Sequence, residues 1–268
     1  MPLTINSTDV NAISEVIDEV AMHVVSAYNQ ASIIDCQYHN MSPEQIAESL
    51  EQFSEILFLV EVDKVNAVAF RDIPAGYNDS LVVHDDRRLN ASEISEIGNH
   101  GLNLLQTLND WAGALHLSEV QHRIQFVMVA VALWLARHGG QILQLDAIVT
   151  TLTSLANATS DPDFFVELSN VMGELINAVS EDIRDDSYDH GEGKYWRALN
   201  ISRGIIATRS LNAEVMEKVF RQLVNNLPED AATFFEEGLL QLDRLDYPTH
   251  IRDVMVKYFH QYATPVLL

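Results

Sequence analysis

One segment limits the folds open to this chain. Phe126–Ala136 is an unbroken apolar run of 11 residues. Helix punctuation frames it. Ser118 stands in N-cap position with Gln121 placed to complete a capping box, and Glu119 falls in the first turn. Arg137 and His138 fall in the last turn, before a Gly139-Gly140 stop. The helix predicted over 118–138 is apolar on every side of its middle, through Val127, Met128, Val131 and Trp134. It has no face to give to water, so other elements must surround it. It is also too short in apolar length to cross a bilayer.

The elements around it read as helices too. Val10, Ile13, Ile17, Val20 and Val24 recur at spacings of three and four within 8–34, behind Ser7 or Thr8 as the expected N-cap. Ser42-Pro43-Glu44-Gln45 carries a capping box and a first-turn proline, and Ile46, Leu50, Phe53 and Leu57 form the stripe behind it. A helix begins at about Ala91, stripes run over 142–155 and 215–227, and Pro162, Pro228 and Pro248 mark three more starts. The predicted fold is all-α: a compact multi-helix bundle of about nine helices in one domain, 1–268. Three stretches depart from the pattern. Ile56–Val62 and Val65–Phe70 are short and apolar, so a small β-hairpin near 56–70 competes with a continuing helix. Residues 71–92 read as a long connection, and 183–193 as an acidic loop. Glu174–Asp182 resembles Gln222–Asp230 at an offset of 48, but the match ends with the helix and has no third copy, which disfavours a solenoid.

Charge bounds the partners. Residues 1–63 contain no Lys or Arg. Residues 1–193 hold 30 Asp and Glu against 7 Lys and Arg, and residues 194–268 hold 9 against 9. The formal charge of −23 therefore belongs to the first 193 residues. Such a field repels phosphate backbones and anionic lipid, so neither nucleic acid nor membrane is an expected partner. An apolar content of 47% supports a buried core, not disorder. Cys36 is the one cysteine, which leaves no disulfide within the chain. Its neighbour His39 offers a base, but residues 1–63 offer no cation to stabilise a thiolate. The start Met1-Pro2-Leu3-Thr4 lacks a basic and apolar leader, so the expected compartment is cytoplasmic.

Two constellations carry candidate chemistry. Glu119 and His122 form a Glu-x-x-His on one helix face, the element that di-iron bundles use in duplicate. No second copy occurs, and Glu96 with His100 on the preceding helix are the expected partners in a four-ligand iron, manganese or zinc site. Solvated acidic surface is the competing explanation. The second is basic. Lys194, Arg197, Arg203 and Arg209 stand among 193–213 with no Asp or Glu, beside Trp196. They suit an acidic partner with Trp196 as aromatic anchor, or they neutralise the preceding acidic loop from within. Asp185, Ser187 and Asp189 start like a calcium loop, but His190 stands where its glycine belongs. No phosphate loop, nucleophile elbow or dinucleotide fingerprint occurs.

The leading functional expectation is a non-enzymatic, acidic helical binding or scaffold protein, needing no cofactor, that meets a basic or cationic protein partner. A homo-oligomer is compatible with it. The alternative is a metal-dependent helical enzyme built on Glu119, His122, Glu96 and His100. The third is a DNA-mimic inhibitor, whose carboxylates replace phosphates.

Overall fold

The computed structural model describes residues 4–31, 41–61, 89–185, 191–245 and 247–263. Among them are eleven α-helices and no β-strand. The chain groups into two compact units, Met1–Thr151 and Leu152–Leu268.

Unit 1 is built on α1 (Val10–Gln30), α2 (Pro43–Glu61), α3 (Ala91–Ala114) and α4 (Ser118–Arg137). The main contacts run from α1 to α2 and α4 and from α3 to α2 and α4, which closes a four-helix ring, and α1 touches α3 across it. The all-round apolar segment behaves as predicted. Val127–Leu135 are buried without interruption. The predicted stripe Ile46, Leu50, Phe53 and Leu57 is buried as well. Glycines let α3 approach its neighbours. A Cβ on Gly98 would stand 2.6 Å from Leu135 Cδ1, and one on Gly101 would stand 2.2 Å from the Phe53 ring.

The helix ends correct two sequence expectations. Asp9, not Ser7 or Thr8, caps α1, its carboxylate accepting from the N–H groups of Asn11 and Ala12. At α4, Ser118 is already helical and Leu117 holds the N-cap place without a side-chain bond. The cause is the tight junction with α3. His116 takes a left-handed φ of 59°. The His116 N–H then donates to Gly113 O at 3.0 Å and the Leu117 N–H to Ala112 O at 2.8 Å, a Schellman ending that leaves three residues, Leu115 to Leu117, between the two helices. The α4 stop follows the sequence: Gly139 has φ 78°, and the Gly140 N–H donates to Leu135 O at 3.0 Å. Ser42 and Gln45 form their capping box.

Unit 2 contains α6 (Pro162–Ala178), α7 (Glu181–Asp185), α8 (Gly193–Arg209), α9 (Ala213–Asn226), α10 (Pro228–Arg244) and α11 (Thr249–Tyr262), and α5 (Asp146–Asn157) carries the division between units. Helix α8 packs on α6, α7 and α9, while α9, α10 and α11 pack on one another. An aromatic cluster fills the second group, with Phe220, Phe235 and Tyr258 ring centroids 5.1–5.3 Å apart. On its rim, Glu217 accepts from Lys257 Nζ at 2.6 Å and from the Tyr258 hydroxyl at 3.1 Å. The Lys257 bond, more than the Tyr258 bond, holds the Glu217 carboxyl below the usual carboxylate range.

Helices α7 and α8 account for the difference from nine. Ile56–Glu61 belong to α2, so the first limb of the expected hairpin is helical, and the rest of 56–70 lies outside the described residues. The acidic loop is shortened, since α7 reaches Asp185 and α8 begins at Gly193. The connection gives up Ala91 and Ser92 to α3. Most of that connection, together with Cys36, His39, Ser187 and Asp189, lies outside the described residues.

Two substitutions test this packing. Gly101→Ala gains about 1 kcal/mol of helix propensity but overpacks the Phe53 ring at a cost of about 1–3 kcal/mol. The denaturant midpoint is expected to fall, and Phe53→Leu in the same chain to recover part of the loss, a favourable coupling readable by double-mutant cycle. Glu217→Gln is expected to cost about 0.5–1 kcal/mol at neutral pH. A lowered native pKa contributes stability above the unfolded value, about 4.3, that is lost as pH falls through the native one. The gap between variant and wild type should therefore close on acidification, followed by chemical denaturation at stepped pH.

Candidate functional site

The predicted metal ligands do not converge. Helices α3 and α4 are consecutive and joined by the Schellman junction, so the start of α3 lies beside the end of α4. Asn99 shows this, donating to Gln141 O at 2.7 Å and accepting from the Leu143 N–H at 2.9 Å. At the other end, Gln121 donates to Asn109 O at 3.2 Å. Glu96 and His100 therefore sit at one end of the helix pair, and Glu119 and His122 at the other. Glu96, Glu119 and His122 are exposed. His100 is half-buried, and burial pushes its imidazole pKa down. Among the described residues no three His, Cys, Asp or Glu side chains gather closely enough to hold a metal ion. The four-ligand centre is thus corrected: helical spacing placed each pair on one face, but the junction set the two pairs apart.

The basic segment is α8, and the structure turns much of it inward. Trp196 is buried, its indole N–H donating to Ile176 O at 3.4 Å, so it is not an exposed anchor. Arg203 is only 3% exposed. Its Nε donates to Ser169 O at 2.7 Å and its Nη1 to Gln222 Oε1, while Nη2 lies where a Cβ on Gly173 would stand. Burial pushes its pKa down to about 10, which leaves it charged at neutral pH. Arg197 forms a two-pronged pair with Asp230, its Nε 2.8 Å from Oδ2. The Arg209 guanidinium lies 4.2 Å from the Phe165 ring centroid and donates to Thr159 O at 3.0 Å. Lys194 is exposed, with Nζ 4.6 Å from the Tyr195 ring centroid. Four of the five expected partner contacts are therefore committed inside the unit, and Arg197 meets Asp230 of α10.

Two exposed features stand out instead. The first is a ridge on α2. Glu44, Glu48, Glu51 and Glu55 are all exposed, at spacings of four, three and four, and Phe58 continues the row. At 1.5 Å per residue the row is about 21 Å long. Its opposite face holds Ile46, Leu50, Phe53 and Leu57. None of the four carboxylates pairs with a cation among the described residues. Phe58 is 51% exposed, unusual for a ring that size. The row was readable in the sequence, since it is the complement of the predicted stripe.

The second is a groove of about 740 Å³ in unit 2, between α8 and α10 with Tyr247 and Met255. Ile205, Leu240 and Leu245 line it and are about half exposed. Glu237, Gln241 and Arg244 give it polar points. Among the described residues no helix is long and apolar enough to cross a membrane. No protein-family model, curated protein or solved structure matches the chain.

The inward basic residues make a contrast. Arg203→Lys loses the planar fork that serves two acceptors at once, and is expected to destabilise unit 2 by about 1–3 kcal/mol. Arg197→Gln removes an ion pair whose arginine is about half exposed, keeps a hydrogen-bonding amide beside Asp230, and should cost less, about 1 kcal/mol. Thermal unfolding of the two variants side by side reads the difference.

Proposed function

We propose that the chain is a non-enzymatic helical binding protein whose α2 ridge receives a basic protein segment. The observation that carries the reading is the row Glu44, Glu48, Glu51, Glu55 and Phe58, exposed along one helix face with no paired cation among the described residues. Its first 63 residues lack Lys and Arg altogether, so the helix carries no cation of its own.

Magnitudes divide the work. An exposed ion pair contributes about 0.2–1 kcal/mol, so four carboxylates meeting four cations supply only modest affinity. Their larger effect is on encounter rate and register, both of which salt suppresses. The apolar anchor is Phe58, which loses its water when covered. A basic amphipathic helix with cations at spacings of three and four has the matching chemistry.

The test uses a fluorescent amphipathic helical peptide bearing Lys and Arg on one face and one leucine row, read by anisotropy. Changing Glu44, Glu48, Glu51 and Glu55 together to Gln is expected to weaken binding about tenfold or more, and Phe58→Ala to weaken it at every salt concentration. A control chain with Asp163, Glu229, Glu236 and Asp253 neutralised loses the same charge and should bind as wild type. Equal loss in the control, or affinity that does not change between low and high salt, would overturn the reading.

A further inference from the structure

The groove of unit 2 has a pattern that suits one occupant: α10 of a second copy. Glu237 and Arg244 lie seven residues apart on α10, two turns, so they share a face about 10.5 Å apart along the axis. That separation is too great for them to pair with each other. Neither forms an ion pair among the described residues. Both line the groove, and the midpoint between them falls at Leu240 and Gln241. Leu240, at 53% exposed, is among the most exposed large apolar side chains of the described residues.

We propose that two chains associate through this groove about a twofold axis, with α10 antiparallel to α10 of the second copy. A twofold interface presents the same patch from both sides, so each contact occurs twice. With the axis at Leu240 and Gln241, Glu237 of one copy meets Arg244 of the other, and the reciprocal pair forms on the far side. The half-exposed side chains of Ile205, Leu240 and Leu245 are then covered by the opposing α10. An arrangement with α10 helices parallel would set Glu237 against Glu237 and Arg244 against Arg244, which like-charge repulsion disfavours. One face thus carries both the apolar surface and the charge order that fixes its mate's direction.

The experiment is sedimentation equilibrium of the full-length chain across the micromolar range, with circular dichroism confirming that each variant is folded. Wild type is expected to be dimeric at the upper concentrations. Glu237→Arg and Arg244→Glu, each alone, place like charges across the axis and should weaken the dimer about tenfold or more. The double variant, Glu237→Arg with Arg244→Glu, restores opposite charges in both pairs and should recover it. A chain that stays monomeric throughout would overturn the proposal. So would a dimer indifferent to the single reversals, or one that the double variant fails to recover. The contact is independent of the α2 ridge, and neutralising the ridge should leave the dimer unchanged.

Discussion

A guanidinium folded into the interior of unit 2 dictates how three of its helices meet. Arg203 enters from α8, takes the Ser169 carbonyl on α6 and the Gln222 amide oxygen on α9, and lies in the space that Gly173 leaves without a side chain. Gln222 is itself oriented, since its Nε2 donates to Asn177 Oδ1 at 2.7 Å. A buried cation is costly unless its donors are satisfied. The helices must therefore deliver two oxygens to one fork, which fixes their separation more tightly than apolar contact alone would. Burial accordingly pushes the Arg203 pKa down to about 10.

Internalising basic residues has an outward consequence. Arg203 is buried, Arg209 lies over Phe165, and Arg197 and Lys257 face carboxylates of their own unit. In unit 1, Arg123 pairs with Glu19 and lowers its carboxyl pKa, chiefly through the hydrogen bond between them. The cations of the described residues are largely committed to the fold, whereas the α2 carboxylates are not. Among the described residues, Glu44, Glu48, Glu51 and Glu55 therefore stay exposed without a paired cation.

What could be read from the sequence follows the kind of core each helix enters. Helix α4 was legible because Val127–Leu135 leave it no polar side. Helix α8 was not, because its buried face includes Asn200, Arg203 and Thr208 as well as Gly193 and Gly204, and no apolar period survives. Two of its polar members donate within the helix itself. Asn200 donates to Trp196 O at 2.9 Å and Thr208 to Gly204 O at 3.1 Å. A segment with four cations and a tryptophan then resembles a surface patch. The metal pairing failed for a different reason. Periodicity places residues around one helix but says nothing of height along its neighbour, which the residue His116 sets by turning left-handed.

The α2 ridge carries a cost that folding does not require. Glu44 with Glu48, Glu48 with Glu51, and Glu51 with Glu55 are like-charged neighbours at three or four residues. Such pairs destabilise a helix by about 0.2–0.5 kcal/mol each, so the row costs about 0.6–1.5 kcal/mol in all. Glu44 recovers part of this from its place in the first turn, where the helix dipole favours it. The three others gain nothing comparable. Replacing any of them with lysine would turn repulsion into an attractive pair. A basic segment laid along the row, as proposed above, would relieve the same repulsion, and the strain left in the unpartnered helix would then become part of the driving force for binding.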